Sequence, residues 1–273
     1  MKIYDFDEKF FDYVRTWMAL HPGLKEAEIE ERYNEMMRGW LNAPAQWLNG
    51  EKPGEYFNRY SDPKDLMKLL EEYLKRHIGL PEPLYRRIVE RGEACAPALV
   101  RMAEDPDRSE ALRATALALL RDIDDGAPLD LYLDLVCRCK EKNELSDMAA
   151  DALSDRGDDI VEALLSRYDA ATEYGQLLIL DICANHPGDP RICELLLQKL
   201  RNRPEARALY AALLGKLGDP RAIEPMRALL NLTDLSYLDY IELRSAIEQL
   251  GGDAGEERTF NGDPDFEALR NLE

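Results

Sequence analysis

Cys183, His186 and Cys193 stand close together in the chain, and Cys137 and Cys139 bracket a single arginine. Thiolates and imidazoles are zinc ligands, so both groups raise the question of a metal. A structural zinc site takes four N or S ligands on tight knuckles of the C-x2-C kind. Cys137 and Cys139 fail that geometry, because residues two apart on a helix point about 200° away from each other. The set of five, completed by Cys95, is odd and thinly spread. It reads as reduced, buried, small apolar side chains, and no metal or other cofactor is expected.

Nucleophilic catalysis needs a base beside its nucleophile. The three histidines offer none in a recognisable spacing: His21 opens a His-Pro-Gly break, His77 lies near a helix end, and His186 adjoins Pro187. No G-x-x-x-x-G-K-[ST] phosphate loop is present. Glu26, Glu28, Glu30, Glu31 and Glu35 form an acidic run. Di-iron bundles need Glu-x-x-His pairs, which this chain lacks, so the run reads as a solvated helix face. No catalytic residue is assigned.

The formal charge of −19 weighs on the choice of partner. Nucleic-acid binders draw much of their affinity from Lys and Arg on phosphates, so that class is disfavoured. A partner protein with a basic surface is favoured, chiefly through faster encounter. No apolar run approaches the roughly 18–20 residues that span a bilayer. The start, MKIYDFDEKF, carries acids where a signal peptide carries a basic region. The expectation is a cytoplasmic protein that does not enter a membrane.

The elements that position these residues are punctuated by one device. Gly-Asp-Pro occurs at 188–190, 218–220 and 262–264. Glycine tolerates the left-handed backbone past a helix end, aspartate caps the next helix, and proline fits its first position. Gly188 and Gly218 are therefore expected to end helices, and Asp189 and Asp219 to start them. Acidic restart positions recur at Asp62, Glu93, Asp125, Asp158, Asp189, Asp219 and Asp253, about 30 to 34 residues apart. That period marks a repeat protein with two helices per unit. First helices show stripes such as Ile160, Val161, Leu164, Leu165, Tyr168. Second helices show Leu145, Met148, Ala149, Ala152, Leu153, or Ala206, Leu209, Leu213, Leu217. Such pairs bury their stripes only by stacking, which predicts an all-α solenoid, an α-α superhelix of about six pairs.

LLGKLGDPRAIEPMRALL (213–230) resembles the HEAT-repeat consensus, in particular the short bacterial class termed PBS-lyase HEAT-like, and NHPGDPRICELLLQKL (185–200) is similar to it. The resemblance covers about residues 61–253. It implies a protein-binding habit without naming an activity, with second helices lining a concave side. It also implies a kink at Pro225, inside a first helix. Opposite the apolar stripes of the second helices lie Arg121, Asp147, Asp151, Gln176, Arg207 and Glu242, a mixed and acid-leaning row proposed to meet the partner. The family also contains bilin lyases that act on tetrapyrroles and alkylpurine DNA glycosylases. The first needs a pigment-sized pocket and the second a basic groove, and neither is marked here.

Residues 1–60 fall outside the period and are expected to form an atypical helical cap. Phe10, Phe11, Val14, Trp17 and Met18 make one stripe; Ile29, Tyr33, Met36, Met37 and Trp40 make another. The turn around Trp47, W-L-x-G-x-x-P, is similar over about thirty residues to the toxin-binding domain of some bacterial antitoxins. A tryptophan-anchored turn packed on its own helices is the preferred reading. Residues 254–273 form a polar tail in which Phe266, Leu269 and Leu272 allow a short closing helix.

Overall fold

A computed structural model describes residues 2–22, 26–123, 129–157 and 159–270. Asp125, Asp158 and Leu272 lie outside them, as do the side chains of Glu26, Glu28, Ile29 and Leu269. The described residues form an all-α protein without strands; one isolated bridge joins Ala45 to Glu51. Two compact units are present, Met1–Leu131 and Tyr132–Glu273. Their boundary falls within a stretch that the sequence period treats as continuous.

The first unit opens with α1 (Phe6–Leu20) and α2 (Glu26–Asn42), then 3-10 turns at Gln46–Leu48 and Pro53–Arg59. Helices α3 (Pro63–Lys75), α4 (Glu82–Glu90), α5 (Gly92–Glu104) and α6 (Glu110–Asp122) follow. Helix α3 packs on α5 and α4 on α6, while each also meets its neighbour in sequence. Asp62 starts α3 by accepting the Lys64 N–H, with Pro63 in the first helical position. Leu66, Leu69, Leu70 and Tyr73 then recur at helical spacing and are fully buried. Glu93 departs from the expected cap role. Arg91 ends α4 and starts α5 at once, so no linker is left to hold a capping carboxylate, and Glu93 sits within the first turn.

Residues 4–60 bring together an aromatic cluster. Trp47 is half-buried and meets Tyr4 at 5.3 Å, Phe6 at 5.2 Å and Trp40 at 6.2 Å between ring centroids. Phe57 carries the cluster onto α3 through Tyr73, whose hydroxyl donates to the Tyr4 carbonyl at 2.9 Å. The five-residue stripe expected on α1 is too wide. Phe11 is 57% exposed and Met18 42%, because α1 has one main helical neighbour and buries only Phe6 and Phe10. Tyr33 on α2 is likewise exposed.

The second unit receives the end of α7 (Leu129–Cys137). It continues with α8 (Glu144–Ser154), α9 (Asp159–Leu165), α10 (Glu173–Cys183), α11 (Pro190–Asn202), α12 (Arg207–Leu217), α13 (Ile223–Leu229), α14 (Tyr237–Gln249) and α15 (Pro264–Arg270). Helix α8 packs on α10, α10 on α12 and α12 on α14, with α9, α11 and α13 lying against them. Ile179, Cys183, Leu196, Leu214, Leu243 and Ile247 are fully buried between these layers. Asn143 and Ser146 close a reciprocal capping box on α8, and Thr172 and Ser236 cap α10 and α14.

At the two repeated turns, Asp189 accepts the Arg191 N–H at the start of α11, and Asp219 accepts that of Arg221. Gly218, at φ +76°, is the left-handed cap of α12. Gly188 does not end a helix: α10 stops at Cys183, and hydrogen-bonded turns carry the chain on to it. Pro225 also differs from expectation. The chain runs as a 3-10 turn over Pro220–Ala222 before α13 begins at Ile223, so Pro225 falls in the first turn of that helix, where its missing N–H costs nothing. Leu209 is 42% exposed; Tyr210, Ala211, Leu213, Leu214 and Leu217 form the buried side of α12. Asp253 starts no helix, its carboxylate accepting the Gly255 N–H of an irregular tail. That tail is tied down by Arg244, which donates to three successive carbonyls at 254–256, and by Phe266 against Tyr237.

Candidate interaction surface

Successive packing of α8, α10, α12 and α14 lines up one exposed face within the second unit. Asp147 lies on α8 and pairs at 3.8 Å with Lys142; Asp151, one turn on, is exposed. Tyr174 on α10 comes next. Its hydroxyl is held above the ordinary tyrosine pKa by partial burial first, then by the charges of Asp147, Cys139 and Asp181. The carboxylate charges that act on the tyrosine come from α8 and from its own helix. Asp181 is seven residues beyond Tyr174, two turns along the same face. It accepts the Lys216 ammonium of α12 at 2.6 Å, and its backbone carbonyl accepts the same group at 3.0 Å. Glu242 on α14 is half-exposed and, like Asp151, makes no ion pair among the described residues.

Three residues of the expected row, Gln176, Arg207 and Arg121, do not join this face. Gln176 is two positions from Tyr174, about 200° around the helix. Its amide donates to the Tyr168 carbonyl at 3.2 Å and accepts Lys199 at 2.7 Å, bracing α10 against α11. Arg207 is the first residue of α12, and its Nε is buried without a hydrogen-bond partner. Arg121 belongs to the first unit. Tyr174, Asp181 and Lys216 were not anticipated. The seven-residue step from Tyr174 to Asp181 is a readable signal, whereas Asp181 and Lys216 meet across 35 positions.

All five cysteines are buried. Burial, followed by the Asp189 charge, pushes the Cys183 thiol up to about 12. Burial and then Asp219 raise Cys193 to about 11. Cys139 lies past the end of α7, donating its thiol to the Glu141 carbonyl at 2.8 Å and accepting the Asn143 amide. His21 stacks on Trp17 at 4.1 Å, and His77 adopts φ +55° just after α3. Among the described residues, no group of three His, Cys, Asp or Glu side chains is placed to hold a metal ion. No helix among them is long and apolar enough to cross a membrane.

Compared with protein-family models, with curated proteins and with solved structures, the chain matches none.

Proposed function

We propose that this chain is a non-enzymatic protein-binding scaffold of HEAT-like helix pairs stacked as a solenoid. In this reading the exposed face of α8, α10 and α12 holds a partner with a basic surface. The observation that carries it is the packing of α8 on α10 and α10 on α12, which places the helix bearing Asp147 and Asp151 against the one bearing Tyr174 and Asp181, itself tied to α12 by Lys216. Among the described residues Asp151 makes no ion pair, while Asp147 and Asp181 are held by Lys142 and Lys216. Lysine or arginine side chains of a partner would pair with Asp151 and exchange with those internal lysines while their stems lie on the Tyr174 ring. The succession of like helices against like, α3 on α5 and α4 on α6 in one unit and α8–α10–α12–α14 in the other, supports the stacked repeat.

The test is binding to immobilised Lys/Arg-rich peptides, measured for the wild-type chain and for Asp147→Lys, Asp151→Lys and Asp181→Lys. Charge reversal should slow association, and added salt should weaken the wild-type complex. Tight, salt-sensitive DNA binding or a co-purifying tetrapyrrole would overturn this reading in favour of an enzyme.

A further inference from the structure

A second surface, of opposite character, lies in the first unit. Helices α3 and α5 leave a groove of about 510 Å3 between them, lined by Met67, Ala94, Pro97 and Ala98 and rimmed by Lys64, Lys68 and Arg101. All three cations are exposed, and none makes an ion pair or side-chain hydrogen bond among the described residues. Other cations of this unit behave differently: Arg59, Arg76, Arg86 and Arg108 are each paired with a glutamate. The two acids that line the groove are already engaged. Asp62 is committed to the Lys64 backbone N–H, and Glu71 holds Arg108 at 2.6 Å. With Glu71 balanced by Arg108, the three cations Lys64, Lys68 and Arg101 outnumber the remaining Asp62 carboxylate, so the groove presents a net positive rim over an apolar floor, on a chain whose total charge is −19.

Pro97 contributes to that floor directly. Within α5 it removes the backbone bond from residue 97 to residue 93 and presents a flat apolar ring beside Ala94 and Ala98. Small side chains at 94 and 98, one turn apart, keep the space between the helices open for a side chain from outside.

We propose that the α3/α5 groove docks an acidic, amphipathic helical segment of a partner protein. Apolar anchors of that segment would lie on Met67, Pro97 and Ala98. Its carboxylates would meet Lys64 and Lys68 on one wall and Arg101 on the other. This is the helix-in-groove mode, with charge setting orientation and apolar burial supplying affinity. The site is independent of the acidic face on the second unit and stands or falls separately from it.

The experiment titrates the full chain into a fluorescein-labelled 16-residue helical peptide carrying leucines at i, i+3, i+4 and i+7 and glutamates elsewhere. Two control peptides replace the glutamates by lysines, or the leucines by alanines. The acidic leucine peptide should bind, and both controls should bind at least about tenfold more weakly. The Lys68→Glu/Arg101→Glu double variant should lose about tenfold in affinity. Raising salt from about 50 to 500 mM should weaken the wild-type complex. Ala94→Trp, an exposed position that fills the groove, should abolish binding without altering the thermal melt. Asp181→Lys should leave this binding unchanged. Equal binding by the alanine peptide, or undiminished binding by both groove variants, would overturn the proposal. So would retention on vesicles of anionic phospholipid without peptide binding, or self-association of the chain that the groove variants abolish.

Discussion

Asp219 is held from two directions by the residue two places beyond it. Its carboxylate accepts the Arg221 backbone N–H at 3.0 Å and the Arg221 guanidinium at 2.5 Å. Asp189 repeats the arrangement with Arg191, at 2.9 Å and 2.6 Å, and Arg191 reaches on to Glu162 of α9 at 2.6 Å. The operative unit of the repeated turn is thus Asp-Pro-Arg. The carboxylate satisfies a free N–H at the helix start, proline fixes the entry, and arginine clamps the carboxylate in its capping rotamer.

Asp219→Ala removes the acceptor and releases the clamp. It should lower stability by on the order of 1 kcal/mol, while Asp219→Asn should recover most of that loss. Urea denaturation of the three proteins checks this. An unchanged midpoint for the alanine variant would reject the assignment.

The same pairs make stability depend on acid. The Arg191 and Arg221 guanidiniums hold the carboxyls of Asp189 and Asp219 below the usual aspartate range. Asp263 is lowered too, first by accepting the Tyr237 N–H and then by those of Phe266 and Asp265, so it ties α14 to α15. A lowered folded pKa contributes stability that is fully present above the ordinary value near about 3.9 and is lost as pH falls through the folded value. Unfolding midpoints should therefore fall as pH drops below that range, by a modest amount because these carboxyls are screened by solvent. In Asp189→Asn/Asp219→Asn the fall should be shallower.

Gly175 marks a close approach between helices. A Cβ there would lie 2.6 Å from the Cys137 carbonyl oxygen and 2.8 Å from that of Val136. Gly175→Ala should cost on the order of 1–3 kcal/mol through this overlap. Gly39 lies in α2 with nothing within 4 Å of its added Cβ. Gly39→Ala should instead stabilise by about 0.5–1 kcal/mol. Paired thermal melts test both, and equal shifts would show that helix propensity alone governs the two sites.

Helix restarts were legible because their physics is local: the backbone bonds by which Asp189 and Asp219 cap their helices fall within two residues. Glu93 shared the period and not the role, since the chain there turns from one helix into the next without a linker. Helical spacing also leaves adjacent columns ambiguous. Leu209 and Phe11 sit beside truly buried residues, and only the neighbouring helix decides which column it covers. The candidate face was read in part, through Asp147 and Asp151. Gln176 turned inward to Tyr168 and Lys199, while Tyr174 and Lys216 gain their meaning from partners in other helices. The α3/α5 groove depends on which charges are already paired, a property of packed side chains that no periodicity carries.

The last expectation concerns the thiols. A cysteine reacts as the thiolate, and reactivity needs access as well as ionisation. All five side chains are buried, and burial raises Cys95 and Cys137 as well as Cys183 and Cys193. With its thiol pushed by burial to about 12, Cys183 should carry on the order of a thousandfold less thiolate at neutral pH than a free cysteine. A maleimide added to the native protein at neutral pH should label none of the five within minutes. In urea all five should label at once, and at intermediate urea the rates should follow the fraction unfolded. Mass spectrometry counts the adducts. Cys183 and Cys193 are the informative pair, since Asp189 and Asp219 both disfavour their thiolates. Fast labelling of either in the folded chain would show an accessible, activated thiol there, and the reading of these cysteines as apolar packing would have to be abandoned.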